Sequence, residues 1–122
     1  MPAPNLILLY VDDTQASAAF YAKLFDQPAQ VIHPTYAAFA FNNGLNLGLW
    51  STKARNFVSS GTGHRSEIAL MVSDDDEVRD LYARWRGASV VIEQPLHEAV
   101  FGLTFVALDP DGHRIRVCTP DP

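Results

Sequence analysis

Residues 6 to 11, LILLYV, form an unbroken apolar run that no other stretch of the chain exceeds, and they read as a buried strand. A different period follows further along, where Val78, Leu81, Tyr82 and Trp85 recur at i, i+3, i+4 and i+7 and form one apolar stripe on a helix. Asp74 with Glu77 supplies a capping pair at its start, and Gly87 is the expected end. Phe20, Tyr21 and Leu24 hold the corresponding places in an earlier helix that begins after Asp13 or Thr14 and is bounded by Pro28. Short strand-like segments come after each helix: AQVIH, YAAFAF and LNLGLW after the first, SVVIE, LTFVAL and RIRVC after the second.

These patterns repeat. With an offset of 61 residues, LILLYVDDTQASAAFYAKLF aligns without a gap on EIALMVSDDDEVRDLYARWR. Ile7 meets Ile68, Leu9 meets Leu70, Val11 meets Val72, Asp13 meets Asp74, Tyr21 meets Tyr82 and Ala22 meets Ala83, with Lys23 opposite Arg84. The turns NNG before residue 45 and DPDG before residue 113 are matching hairpin signals. Each half therefore reads β-α-β-β-β. The expected fold class is α+β, a single domain of two βαβββ modules forming curled mixed sheets around a cavity. Module one covers residues 1–50, a Ser-, Thr- and Gly-rich connector covers 51–66, and module two covers 67–122.

Strand alternation divides the faces of each sheet. The aliphatic positions Ile7, Leu9, Val11, Leu45, Leu47, Leu49, Ile68, Leu70, Val72, Ile115 and Val117 are expected under the helices. The opposite faces carry Leu6, Leu8 and Tyr10; Asn46, Gly48 and Trp50; Glu67, Ala69 and Met71; and Arg114, Arg116 and Cys118. A sheet with one face unfilled needs a second module, within one chain or between two, so the hollow between modules is the candidate site and a paired or module-swapped homodimer is expected. The mixed lining suits an amphipathic organic ligand. Its plainer reading is a filled core or a dimer interface, against which stand the charges of Glu67 and Arg116.

Length and charge narrow the partners. The chain has 122 residues and 48% hydrophobic content, enough for one ordinary domain. Its net charge is -5 with the nine Lys and Arg scattered, so no basic stripe offers itself to nucleic acid. No apolar run approaches the roughly 20 residues that cross a bilayer, and no secretory signal precedes the first strand. A cytoplasmic protein without a membrane partner is expected. Cys118 is alone and forms no intrachain disulfide. His33, His64, His97 and His113 lack a local ligand spacing and read as solvated loop residues.

The paired modules and the ending DPDGHRIRV resemble the vicinal oxygen chelate superfamily, which includes glyoxalase I, extradiol dioxygenases, fosfomycin-resistance enzymes and bleomycin-binding proteins. Its metalloenzymes take ligands from the first and last strands of each module, and by register those places are Leu6, Gly48, Glu67 and Arg116 here. Only Glu67 offers a donor, so no metal and no cofactor is expected. An ion pair between Glu67 and Arg116 is expected instead. The strings PTYAAFAF, LGLWS, SEIALM and EAVFGLTFVALDPDGHRIRVC are similar to the pattern of phenazine-antibiotic resistance proteins, a metal-free branch that binds the drug. That resemblance implies a flat tricyclic aromatic ligand, sequestered without chemistry. It further implies that Trp50 would stack on the ring, with Tyr36, Phe39, Phe41, Phe101 or Phe105 on its other side and Arg114 or Arg116 meeting an anionic substituent. The ligand-binding set is Trp50, Tyr10, Leu8, Gly48, Glu67, Met71, Arg114, Arg116, Tyr36, Phe39 and Phe101, with no catalytic residue. The rival is a metal-independent enzyme of the same fold acting on a small aromatic or carbonyl compound, with Glu67 or Tyr10 as general base. A glyoxalase-type metalloenzyme is the third reading.

Overall fold

Asp13 and Asp74 stand in extended backbone and each accepts a hydrogen bond from the amide three residues on, Ala16 at 3.1 Å and Glu77 at 2.9 Å. Each thereby satisfies an amide that the first helical turn leaves without a partner. The computed structural model describes residues 2–55, 57–59 and 65–120. His64 lies outside the described residues. The chain divides into two units, residues 1–61 and 62–122. The first contains β1 (Leu6–Val11), α1 (Thr14–Phe25), β2 (Val31–His33), β3 (Tyr36–Ala40) and β4 (Asn46–Ser51). The second contains β5 (Glu67–Met71), α2 (Asp75–Gly87), β6 (Val91–Ala99), β7 (Gly102–Leu108) and β8 (Arg114–Cys118).

The repeat extends to the wiring. One sheet has the order β1-β4-β3-β2 and the other β5-β8-β7-β6. In each, the first strand pairs in parallel with the last, and the remaining pairs are antiparallel. The result is an α+β fold of two four-stranded mixed sheets with one helix apiece.

Helix periodicity meets strand alternation in each core. In the first unit α1 buries Ala18, Tyr21 and Leu24, and the sheet buries Val11, Ala37, Phe39, Leu47 and Leu49. In the second, α2 buries Val78 and Trp85, and the sheet buries Phe105, Ala107, Ile115 and Val117. The Trp85 and Phe105 rings meet at 5.5 Å. Ile7 takes the expected side, aligned with Leu47, yet stays 39% exposed because β1 is an edge strand.

Three expectations change. Phe39 pairs with Leu47 and its ring lies 6.5 Å from that of Tyr21, so it belongs to the helix-covered core and leaves the ligand-binding set. Phe105 pairs with Val117 and packs on Tyr82 and Trp85, and Phe41 packs on Phe25, so neither serves the other side of a ligand ring. α2 ends at Gly87 as expected, although the amide of Ala88 still donates to the Arg84 carbonyl at 3.0 Å and the left-handed residue that reverses the chain is Ser89, with φ 62°. β6 continues through Pro95 to Ala99, which places His97 in a strand rather than a loop. The strand lies at the sheet edge with register shifts around Gln94, where the missing proline N–H costs no ladder bond.

The DPDG turn is more tightly built than a solvated loop. Buried Asp109 accepts from the amides of Asp111 at 2.9 Å and His113 at 2.8 Å, and its second oxygen lies 2.7 Å from His113 Nδ1. That hydrogen bond raises the His113 pKa above 6.5, helped by the charges of Asp109 and Asp111 and opposed by burial. The stabilisation from protonated His113 is complete below pH 6.5, the unfolded value, and is lost as pH rises through the higher folded value. An NMR titration of the His113 ring is expected to give a midpoint above 6.5, and Asp109→Asn to lower it. A midpoint at or below 6.5 in the parent contradicts this.

Among the described residues no helix is long and apolar enough to cross a membrane.

Candidate functional site

The face of the first sheet turned away from α1 is aromatic. Strand register aligns Tyr10, Trp50 and Tyr36 side by side across β1, β4 and β3, and the next row is Leu8, Gly48 and Ala38. Tyr10 is 43% exposed and Leu8 also 43%, so this side carries the large apolar surface that α1 does not reach. Gly48 is what lets the rings lie low. A Cβ there would come within 2.6 Å of Leu8 Cδ2 and 2.7 Å of Tyr36 Oη, so Tyr36 crosses over the glycine. Phe57, from the connector, completes the group. Its ring centroid is 4.9 Å from Tyr10 and 5.3 Å from Trp50, while Tyr10 and Trp50 are 6.2 Å apart, all in edge-to-face geometry. The sequence reading assigned no role to Phe57. Its only signal was a large aromatic inside a polar segment.

The face of the second sheet turned away from α2 is ionic. Arg116 Nε donates to Glu67 Oε1 at 2.5 Å, the ion pair expected at the two register positions of this module. Arg116 also donates to Thr104 Oγ1 at 3.1 Å, and its guanidinium lies 5.5 Å from the centre of the Phe101 ring. Arg114 Nη1 approaches the other oxygen of Glu67 at 3.5 Å, and its Nε lies 2.9 Å from Glu93 Oε1, an ion pair without the alignment of a hydrogen bond. Arg65, Ser66, Glu67, Arg114 and Arg116 line an open concavity of about 340 Å³. Glu93 and Thr104 were not anticipated, because they reach Arg114 and Arg116 from neighbouring strands.

Of the expected set, then, Leu8, Tyr10, Tyr36, Gly48 and Trp50 gather on one face of the first unit. Glu67, Phe101, Arg114 and Arg116 gather on one face of the second. Met71 stands apart at the far end of β5 beside Cys118, 70% exposed.

Comparison with known proteins is consistent with this architecture. Residues 3–117 match the family described as the Glyoxalase/Bleomycin resistance protein/Dioxygenase superfamily. The chain belongs to that superfamily. It is 34% identical to the phenazine antibiotic resistance protein EhpR of Enterobacter agglomerans, over 97% of this chain and 92% of that protein. Protein ATC0852 of Agrobacterium tumefaciens superposes with a TM-score of 0.86 at 36% identity, over 100% of both chains. A glyoxalase-related enzyme of Fulvimarina pelagi shares the fold at a TM-score of 0.82 and 23% identity, over 98% of this chain and 89% of that one.

Superfamily membership raises the question of a metal, and the residues do not fit one. At the four register positions Leu6 and Gly48 have no donor, Arg116 is a cation, and both oxygens of Glu67 are engaged by guanidinium groups. A divalent cation needs three or more N, O or S donors. Asp109, Asp111 and His113 bring three such atoms within 4.8 Å, but the Asp109 carboxylate already holds the turn together.

Proposed function

We propose that this superfamily member binds a planar aromatic compound of the phenazine kind and holds it without transforming it, as a resistance or carrier protein. The observation that carries the proposal is the row of Tyr10, Trp50 and Tyr36 beside Gly48 on the sheet face turned away from α1. Flat aromatic surface is recognised by rings in offset or edge-to-face contact, each pair adding about 0.5 to 1.5 kcal/mol beyond area burial. The likeness to EhpR supports the phenazine class. Sequestration is favoured over catalysis because the one acidic side chain at the register positions, Glu67, has both oxygens committed to Arg114 and Arg116. A general base needs a lone pair aimed at substrate. The same reading has the chain working as a cytoplasmic homodimer.

Incubation with phenazine, followed by gel filtration, extraction and mass spectrometry, tests the proposal. Ligand is expected to co-elute with the protein and to be recovered unchanged, with or without prior chelator treatment. Recovery of an altered compound, or loss of retention after metal removal, overturns it.

A further inference from the structure

The segment after β4 is mostly polar, yet one of its side chains returns to the sheet. Two successive turns achieve this: the amide of Ala54 donates to the Ser51 carbonyl and the amide of Phe57 to the Ala54 carbonyl, both at 3.0 Å. Phe57 is half-buried on Tyr10 and Trp50, whereas the next residue, Val58, is 86% exposed. The segment therefore makes a specific ring contact rather than lying along the surface. Centroid separations of 4.9 and 5.3 Å are those of aromatic rings in direct contact, which leaves no gap for another ring between Phe57 and either partner.

We propose that Phe57 is a tethered ring that covers the Tyr10 and Trp50 rings, and that planar aromatic ligands reach this face by displacing it. The inference rests on the function proposed above and adds a device that sets its affinity threshold. Phe57 competes from within the chain, so its local concentration is fixed by a short tether and not by dilution. The binding-competent form is the fraction in which Phe57 has swung away, and the apparent dissociation constant is the intrinsic one divided by that fraction. Every ligand that uses the face is therefore weakened by the same factor, whatever its size, and weakly stacking compounds drop out of the range that is bound at all. The two turn hydrogen bonds lie at and beyond the end of β4, where the amides of Ala54 and Phe57 donate to Ser51 and Ala54.

Phe57→Ala tests this. Titrations with phenazine and with the smaller two-ring quinoxaline are expected to show both binding tighter than to the parent protein, by a common factor of about 2 to 12, the range that an aromatic contact spans. Phe57→Leu, which keeps an apolar group on the face, is expected to give an intermediate gain. Weaker or unchanged phenazine binding by the Ala variant overturns the displacement and makes Phe57 a wall of the site or a bystander. Gains that differ between the two compounds also overturn it, because a ligand-dependent factor requires contact with the ligand. If neither compound binds the parent or either variant, the planar-aromatic function itself fails and the displacement with it.

Discussion

Trp50→Ala is expected to weaken phenazine binding by about 2 kcal/mol or more, roughly 30-fold, with little change in melting temperature. Trp50 is the middle ring of the row, flanked by Tyr10 on β1 and Tyr36 on β3, and it is the largest flat surface on the face that α1 leaves uncovered. Its loss removes stacking area and leaves a trough between two tyrosines that a flat ligand cannot contact well. The core of the first unit lies on the other side of the sheet and keeps Phe39, Leu47, Leu49 and Tyr21 in place, so folding should be spared. Calorimetric titration of parent and variant checks this, with Trp50→Phe expected to recover part of the affinity. A variant within twofold of the parent would remove Trp50 from the site.

Arg116→Leu is expected to act on stability. The side chains of Arg116 and Glu67 are 16% and 28% exposed, and the guanidinium joins Glu67, Thr104 and Phe101. Removing one partner of a fully buried pair costs about 3 to 5 kcal/mol because the other charge is stranded. Partial exposure and the second guanidinium at 3.5 Å from Glu67 reduce that here. We expect a loss of about 1 to 3 kcal/mol, or roughly 4 to 12 °C in melting temperature for a chain of this size. Glu67→Gln should cost less, since Arg116 keeps Thr104 and the Phe101 ring. Thermal unfolding of both variants and of the double variant gives the coupling. An unchanged melting temperature in Arg116→Leu contradicts a structural role for the pair.

Much of this architecture can be read from local pattern. The 61-residue repeat carries its strand, capped helix and hairpin turns in both copies, and each copy forms the same mixed sheet. The Glu67–Arg116 pair is legible from the family resemblance, which marks both places as ligand positions, on strands β5 and β8 that pair in parallel. Faces are legible where aliphatic and other residues alternate. They are not legible in YAAFAF, which is apolar in both registers, so only the pairing of Phe39 with Leu47 decides that Phe39 lies under the helix. Pro95 hides the second half of β6, because a proline argues against a strand unless the strand is known to be an edge. Glu93 and Thr104 reach the arginines through cross-strand register, which no local motif encodes. Phe57 is concealed by its neighbours: the composition around it describes a spacer, and two backbone turns bring its ring to Tyr10 and Trp50.

In the function proposed here a planar aromatic ligand sits on Trp50 and leaves unaltered. The chain has two tryptophans, and Trp85 is in the core of the second unit, so Trp85→Phe makes Trp50 the sole indole reporter while keeping an aromatic ring against Phe105. Fluorescence titration of that variant with phenazine is the most direct measurement. Saturable quenching, with the phenazine recovered intact at the end point, is the predicted result. Binding without any change in Trp50 emission, or no binding at all, would contradict it.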